Sequence, residues 1–417
     1  FNPILASGDY ISEEPSWTKV WKEGISWISS IDIDTSNNIN ALRGIFDSNT
    51  HESYYFISKL SSLGSLEWEV PLENNEGIQT YYHTIKIDTN NNIFIAGSFE
   101  NLEDQKQYMT LFKFDTNGNQ VWNRSWGGYE WFEGYDMDID SLGNIYIVGS
   151  IESKDPNNYL DMYLVKLNNS GAILWNHTWG DDNFDVYDAI AIDSYDNIYV
   201  AGIYNDRSIL MKYNSSENYE LILILSSSSY HHGLTIDNEE NILFATNGII
   251  IKLNSSGGPS WNYPLNLFFA PKLITDSQNN IYLAESRYIP CYDNFYFLET
   301  ACICFSIYLE KINSSGDSIW EKRCTGCGDA SSSDIAIDAI GNVYISGQLG
   351  TEFGCITPIN DAILMKNPQA FEGLCIEIYY DLLFLIITPL ALSGLIVVII
   401  LIKKRDKSKR IAGIKNS

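Results

Sequence analysis

Imidazole, aromatic and carboxylate side chains gather in a few short stretches of this sequence: Tyr81-Tyr82-His83, Tyr129-Glu130-Trp131-Phe132, Tyr135, Phe184, Tyr187 and Tyr230-His231-His232. A flat apolar ring stacks while its polar rim forms hydrogen bonds, so such groups suit a sugar or peptide surface. Asp136, Asp185 and Asp188, with His83 or His231, have the residue types of an acid–base pair. Carboxylates are common everywhere in the chain, however, with 53 Asp and Glu against 26 Lys and Arg. The stretches therefore point to recognition before catalysis. The expected ligand face is Tyr82, His83, Trp131, Tyr135, Tyr187, His231 and His232, with no catalytic residue assigned; packing between structural units is the competing use of each ring.

The seven cysteines, Cys291, Cys302, Cys304, Cys324, Cys327, Cys355 and Cys375, all lie after residue 290. Outside the cytoplasm they would form disulfides, whose pairing spacing alone does not give. Cys302-x-Cys304 with Cys324-x-x-Cys327 has the composition of a four-sulfur zinc site, which an external location disfavours. Six Asn-x-Ser/Thr sequences, at Asn123, Asn168, Asn176, Asn214, Asn254 and Asn313, are candidate glycosylation sites. Asn-Ser-Ser-Gly is also a good turn sequence.

The elements that must position these groups follow from a repeat. One phrase recurs seven times: Ile33-Asp34 to Asn38-Ile39, Ile87-Asp88 to Asn92-Ile93, Ile139-Asp140 to Asn144-Ile145, Ile192-Asp193 to Asn197-Ile198, Ile236-Asp237 to Asn241-Ile242, Thr275-Asp276 to Asn280-Ile281 and Ile337-Asp338 to Asn342-Val343. The aspartates are 54, 52, 53, 44, 39 and 62 residues apart, bracketing the roughly 40 to 50 residues of a four-stranded propeller blade. Each phrase reads as a hairpin, an alternating run, a polar turn opened by Asp and a second run such as Ile145-Tyr146-Ile147-Val148-Gly149. A second hairpin follows in most units, as in Leu164-Val165-Lys166-Leu167-Asn168-Asn169-Ser170-Gly171 with Trp175 and Trp179. Asp-x-x-x-Asn would admit structural calcium, but one or two carboxylates per turn fit backbone capping better. No other cofactor and no metal site is expected.

The seventh unit stops at Ile363-Leu364-Met365-Lys366-Asn367 without an outer strand, while Trp17-Thr18-Lys19-Val20-Trp21 near the start has no partner and matches Trp122-Asn123-Arg124-Ser125-Trp126. The expected fold is therefore all-β: a seven-bladed propeller of four-stranded antiparallel blades over 17–367, closed when the N-terminal strand completes the last blade. A ring removes the exposed sheet edges of an open array.

The Asp, Gly-Asn-x-Tyr-x-x-Gly hairpin followed by Lys-x-Asn-x-x-Gly-x-x-x-Trp resembles the bacterial and archaeal β-propeller repeat called SBBP, over roughly residues 15 to 367. The first unit departs from it with Asn40-Ala41-Leu42-Arg43-Gly44, and the sixth with Glu285 after Ala284. The resemblance implies a fold and carries little about activity.

Residues 382–402 form a 21-residue run without a charge, the length of a bilayer-spanning helix. It is followed by a basic tail, 403–417, whose seven Lys/Arg and one Asp, set against a formal charge of −27 overall, leave −33 on the remainder. By the positive-inside rule the tail is cytoplasmic and the propeller external, with 1–16 as a lead and 368–381 as a stalk. Phe1 is not an initiator methionine, which fits removal of a signal peptide. The acidic body disfavours nucleic acid as a partner. The last blade ends on the side opposite the inter-blade connections, so the ligand face is expected to be distal to the membrane. The function expected is a single-pass cell-surface recognition, adhesion or scaffold module that binds a glycan, peptide or surface protein. The alternative is an extracellular propeller enzyme, a hydrolase or quinone-type oxidoreductase with its site at the channel mouth. No adjacent cysteine pair and no Ser-x-Asp-x-Gly-x-x-Trp box supports the alternative.

Overall fold

A computed structural model describes residues 17–21, 25–72, 78–153, 160–180, 184–214, 218–225, 232–246, 248–265, 271–291, 302–324, 330–350 and 360–367. The expected membrane span 382–402, the flanking segments 1–16, 368–381 and 403–417, and His231, Cys327, Cys355 and Cys375 lie outside the described residues. Among the described residues no helix is long and apolar enough to cross a membrane.

The described strands form seven four-stranded antiparallel sheets. Their inner strands are Ile25–Ile33, Ile78–Ile87, Phe132–Ile139, Val186–Ile192, Gly233–Ile236, Lys272–Thr275 and Ala330–Ile337, which number blades 1 to 7. Each inner strand packs beside the next, and that of blade 7 beside that of blade 1, so the ring closes around a channel. The closure is sequence-distant: Trp17–Trp21 pairs with the third strand of blade 7, Asn360–Lys366, in the register Trp17↔Lys366 to Trp21↔Ala362.

Second and third strands are buried on both faces because each blade is sandwiched between two others. Thus Ile145, Tyr146, Ile147 and Val148 are all buried, and their side chains divide between two core clusters, one on each side of blade 3. Such strands read as continuous apolar runs, whereas the outer strand Ile173–Trp179 alternates between exposed and half-buried.

The turn aspartates build this frame. Asp140 Oδ1 accepts from Leu142 N (3.0 Å) and Asn144 N (2.7 Å), and Oδ2 from Asn144 Nδ2 (2.7 Å) and Tyr146 Oη (3.1 Å). Lys166, from the third strand, brings its ammonium to 3.5 Å of the same carboxylate. Lys59 and Lys252 do likewise for Asp34 and Asp237, each at 2.8 Å. The third residue after each aspartate has a positive φ, and Asn37, Asn91, Gly143, Asp196, Glu240, Asn279 and Gly341 hold that place. Asn, Asp and Gly tolerate that conformation best, which accounts for six of the seven.

Candidate functional site

Counting back from the turn aspartates places the channel residues in tiers. Two residues before them stand Asp32, Lys86, Asp138, Ala191, Thr235, Ile274 and Ala336; four before stand Ser30, Thr84, Asp136, Ala189, Gly233, Lys272 and Asp334. Most of these line a central cavity of about 180 Å³. Period-two alternation puts both tiers on the channel side of the inner strands.

The next tier breaks that period. Pairing between inner and second strands slips by one residue at Ser29, His83, Tyr135, Asp188 and Ser333, a β-bulge at one register position in five blades. A bulge re-aims the extra side chain. His83, Tyr135 and Ser29 thereby reach the cavity wall with His232, which holds the same position in blade 5. Opposite the residue that precedes the bulge, the second strand has a glycine in four of these blades, Gly97, Gly149, Gly202 and Gly347, while in blade 1 Arg43 holds that place opposite Ile28. A Cβ at Gly97, Gly149, Gly202 or Gly347 would overlap the carbonyl oxygen of Tyr81, Glu133, Val186 or Ser331. Blades 5 and 6 have Thr246 and Glu285 there, and their inner-strand pairing starts one residue later, at Gly233↔Ala245 and Lys272↔Ala284.

The carboxylates of the channel hold neighbouring blades together. Asp32 accepts from Ile33 N (2.8 Å) and from Ile87 N of blade 2 (2.7 Å). Asp136 and Asp138 reach Ile190 N (3.1 Å) and Ile192 N (2.9 Å) of blade 4, and Asp334 takes Ser30 Oγ (2.7 Å) and Ile31 N (2.9 Å) of blade 1. Lys86 is the cation among them. Burial acts to lower its pKa, but the charges of Asp138, Asp32, Asp136 and Asp334 outweigh it and hold the ammonium above its ordinary value. Burial pushes Asp32 up to about 6 and Asp138 up as well, against the opposing pull of Lys86.

At the bulge tier, His232 is 4 % exposed, stacks on Phe244 with centroids 5.5 Å apart, and sets Nδ1 at 2.8 and 3.0 Å from the two oxygens of Asp188. A carboxylate only accepts, so this contact assigns a proton to Nδ1 and turns Nε2 toward other partners. His232 Nε2 and His83 Nε2 are both buried without a hydrogen-bond partner. Burial lowers the pKa of His83 to about 4, so its ring is neutral near pH 7. Tyr135 Oη donates to Glu133 Oε2 at 2.8 Å and lies 3.2 Å from Ser150 Oγ.

Of the expected ligand face, His83, Tyr135 and His232 line the cavity, and Trp131 is 40 % exposed with Nε1 donating to Ser150 Oγ at 3.2 Å. Tyr82 and Tyr187 lie in the packing between blades. Tyr82 is packed edge-on between Tyr55 and Phe112, and the Tyr187 hydroxyl is buried against Met211 Sδ (3.0 Å) and Tyr213 Oη (3.2 Å). Both stand one residue before a bulge and so face a neighbouring blade. Asp185 caps Asn205 N at 2.9 Å in place of joining the histidines. Sequence reasoning missed Lys86, Asp32, Asp138, Asp334 and Lys272; the steps of two and four residues back from each turn aspartate were the signal that reveals them.

The remaining candidates are elsewhere. Asn168, Asn254 and Asn313 open turns between third and outer strands, each Oδ1 accepting two backbone N–H groups, and Asn214 opens the corresponding turn of blade 4. Asn123 and Asn176 are exposed on outer strands. Cys291 and Cys302 are directly opposed in the backbone register of blade 6, Cys304 pairs with Ile289 and Cys324 with Ile307.

No family model and no curated protein matches the sequence. Among solved structures, the chain is similar to a streptogramin B lyase, with a TM-score of 0.55 and 12% identity over 84% of this chain and 97% of that one. It is also similar to a catalytically inactive virginiamycin B lyase from Staphylococcus aureus with quinupristin, with a TM-score of 0.52 and 10% identity over 84% and 99%. At these identities the likeness is one of fold, a seven-bladed propeller.

Proposed function

We propose that this propeller is a recognition module whose ligand enters the central channel at its inter-blade mouth. The observation that carries this reading is the bulge tier: five blades depart from strand geometry at one position, and three of those departures, with His232, bring Ser29, His83 and Tyr135 to the wall of a single cavity. Bulges placed this way are devices for aiming side chains. The SBBP-like repeat supplies the frame, and the uncharged run 382–402 with its basic tail supports display at a cell surface by a single membrane anchor. Adhesion or scaffolding would follow from what the mouth binds.

The test is a glycan and peptide array screen of the full chain beside the His83→Ala and Trp131→Ala variants. Binding that the parent shows and His83→Ala loses supports the channel mouth; equal binding by both variants moves the site elsewhere.

The Asp188–His232 pair favours a second reading, an enzyme using Nε2 of His232 for proton transfer. In that case His232→Ala would abolish turnover of a bound ligand while His83→Ala would weaken its binding, two effects that kinetics separates.

A further inference from the structure

We propose that the central cavity receives one neutral polyhydroxylated residue, a monosaccharide, a cyclic polyol or the terminal sugar of a glycan, whose hydroxyls accept from Lys86 Nζ and donate to Nε2 of His83 and His232. The inference rests on the inter-blade mouth being the ligand site and names the chemistry of what binds there.

The argument is one of hydrogen-bonding capacity. The channel carboxylates are already engaged: Asp32, Asp136, Asp138 and Asp334 each accept on both oxygens from N–H or O–H groups of the wall. Each of those oxygens keeps a lone pair at most, whereas Lys86 and the two histidine Nε2 atoms have no hydrogen-bond partner among the described residues, and they are of two opposite kinds. Lys86 has three donors and, among the described residues, no acceptor within hydrogen-bonding distance and no ion pair within contact distance, although four carboxylates surround it. The two imidazole Nε2 atoms are buried and unpartnered, and in the neutral ring with its proton on Nδ1 that of His232 is an acceptor. A partner for both kinds must accept and donate from adjacent atoms, which a hydroxyl does and neither an ammonium nor a carboxylate does.

Charge selects against the alternatives. An anionic ligand would meet Asp136, Asp138 and Asp334 in the cavity wall, and a cationic one would meet Lys86 and Lys272. A neutral molecule avoids both penalties in a channel where charges are poorly screened. The size also fits. At roughly 30 Å³ per water, a cavity of about 180 Å³ holds on the order of six waters, the space of one sugar ring. The Tyr135 ring, which lies edge-to-face with His83 at 5.9 Å, supplies an aromatic rim for a sugar face.

The experiment is saturation-transfer NMR with calorimetry on the full chain, using glucose, galactose, mannose and myo-inositol as neutral probes, with glucosamine and glucuronate as charged ones. At least one neutral probe is expected to bind, with its charged analogue weaker by about tenfold or more. His83→Gln is expected to weaken it by a similar factor without moving the melting temperature by more than a few degrees, so that loss of binding is not loss of fold. A methyl glycoside or oligosaccharide ending in the same sugar, binding as tightly as the free sugar, assigns the site to a glycan end; weaker binding assigns it to the free molecule.

Failure of every neutral probe, or equal binding of a charged analogue, overturns the proposal. If an array ligand is nevertheless lost on His83→Ala, the channel-mouth reading survives and the polyhydroxyl class falls. If array binding ignores His83→Ala, both fall.

Discussion

Trp17 lies across Gly64, with its Nε1–H donating to the carbonyl oxygen of Ser62 at 2.9 Å. Trp261 makes the same contact with Gly316 and the carbonyl of Ser314 at 3.0 Å. Trp68 over Gly118 and Trp122 over Gly171 complete the pattern, in which an outer-strand indole of one blade covers the glycine turn of the next. Trp17 comes from the first strand yet serves blade 7, so this contact joins the two ends of the ring to blade 1.

Trp17→Ala is therefore expected to destabilise the propeller by about 2 kcal/mol, less than a fully buried Trp because the side chain is half-exposed. A lowered urea midpoint with an unchanged slope would show it. Gly64→Ala is expected to cost about as much, since its φ of +82° disfavours a Cβ and that Cβ would lie 2.7 Å from the Trp17 ring.

Gly149→Ala tests the link between the repeat glycine and the bulge. The new methyl would overlap the Glu133 carbonyl, so the inner strand must move at the place where Tyr135 is aimed into the cavity. The expected result is a loss of about 2 to 4 kcal/mol of stability with loss of ligand binding at the mouth. Thr246→Gly, in a blade whose inner-strand pairing has no bulge among the described residues, is expected to lack the second effect.

That link also separates what the sequence disclosed from what it hid. The repeat, the blade count and the closing strand were legible because turn aspartates and outer-strand tryptophans recur at fixed offsets. Glu285 was visible as a departure from the repeat, but its meaning was not, because the glycine it replaces answers to a carbonyl oxygen on another strand. For the same reason Tyr82 and His83, adjacent and both polar-rimmed, could not be told apart: the bulge sends one to the core and the other to the channel. Lys86 escaped notice because a lone lysine on an alternating strand ordinarily points to solvent.

Two channel groups give stability opposite pH dependences. The His83 pKa falls from 6.5 to about 4 on folding, so the unfolded chain binds the extra proton between those values. Its contribution is complete above pH 6.5 and is lost as pH falls toward 4. The Asp32 pKa rises from 3.8 to about 6, so the folded chain binds the extra proton, and that contribution is complete below pH 3.8 and lost as pH rises through 6. In denaturation from pH 7 to 4, His83→Gln is expected to remove a falling component of up to about 3 kcal/mol, and Asp32→Asn a rising one of similar size. Parallel curves for parent and variants would refute both.

Lys86→Met removes the cation whose charge acts on Asp32, Asp136, Asp138 and Asp334 while keeping the length of its stem. The backbone N–H groups that hold these carboxylates remain, but four negative charges would then face one another across the channel, and the expected cost is about 1 to 3 kcal/mol. The loss should be largest at neutral pH, where the carboxylates are ionised, and should shrink as acid protonates Asp32 and Asp138, the two whose pKa values burial raises. Adding Asp32→Asn should recover part of it at pH 7, because the double variant has one carboxylate fewer to repel. Urea titrations of the parent, both single variants and the double variant form the cycle that measures this coupling. A coupling that is independent of pH would mean that Lys86 acts by packing, and would remove the charge argument on which the preference for a neutral ligand stands.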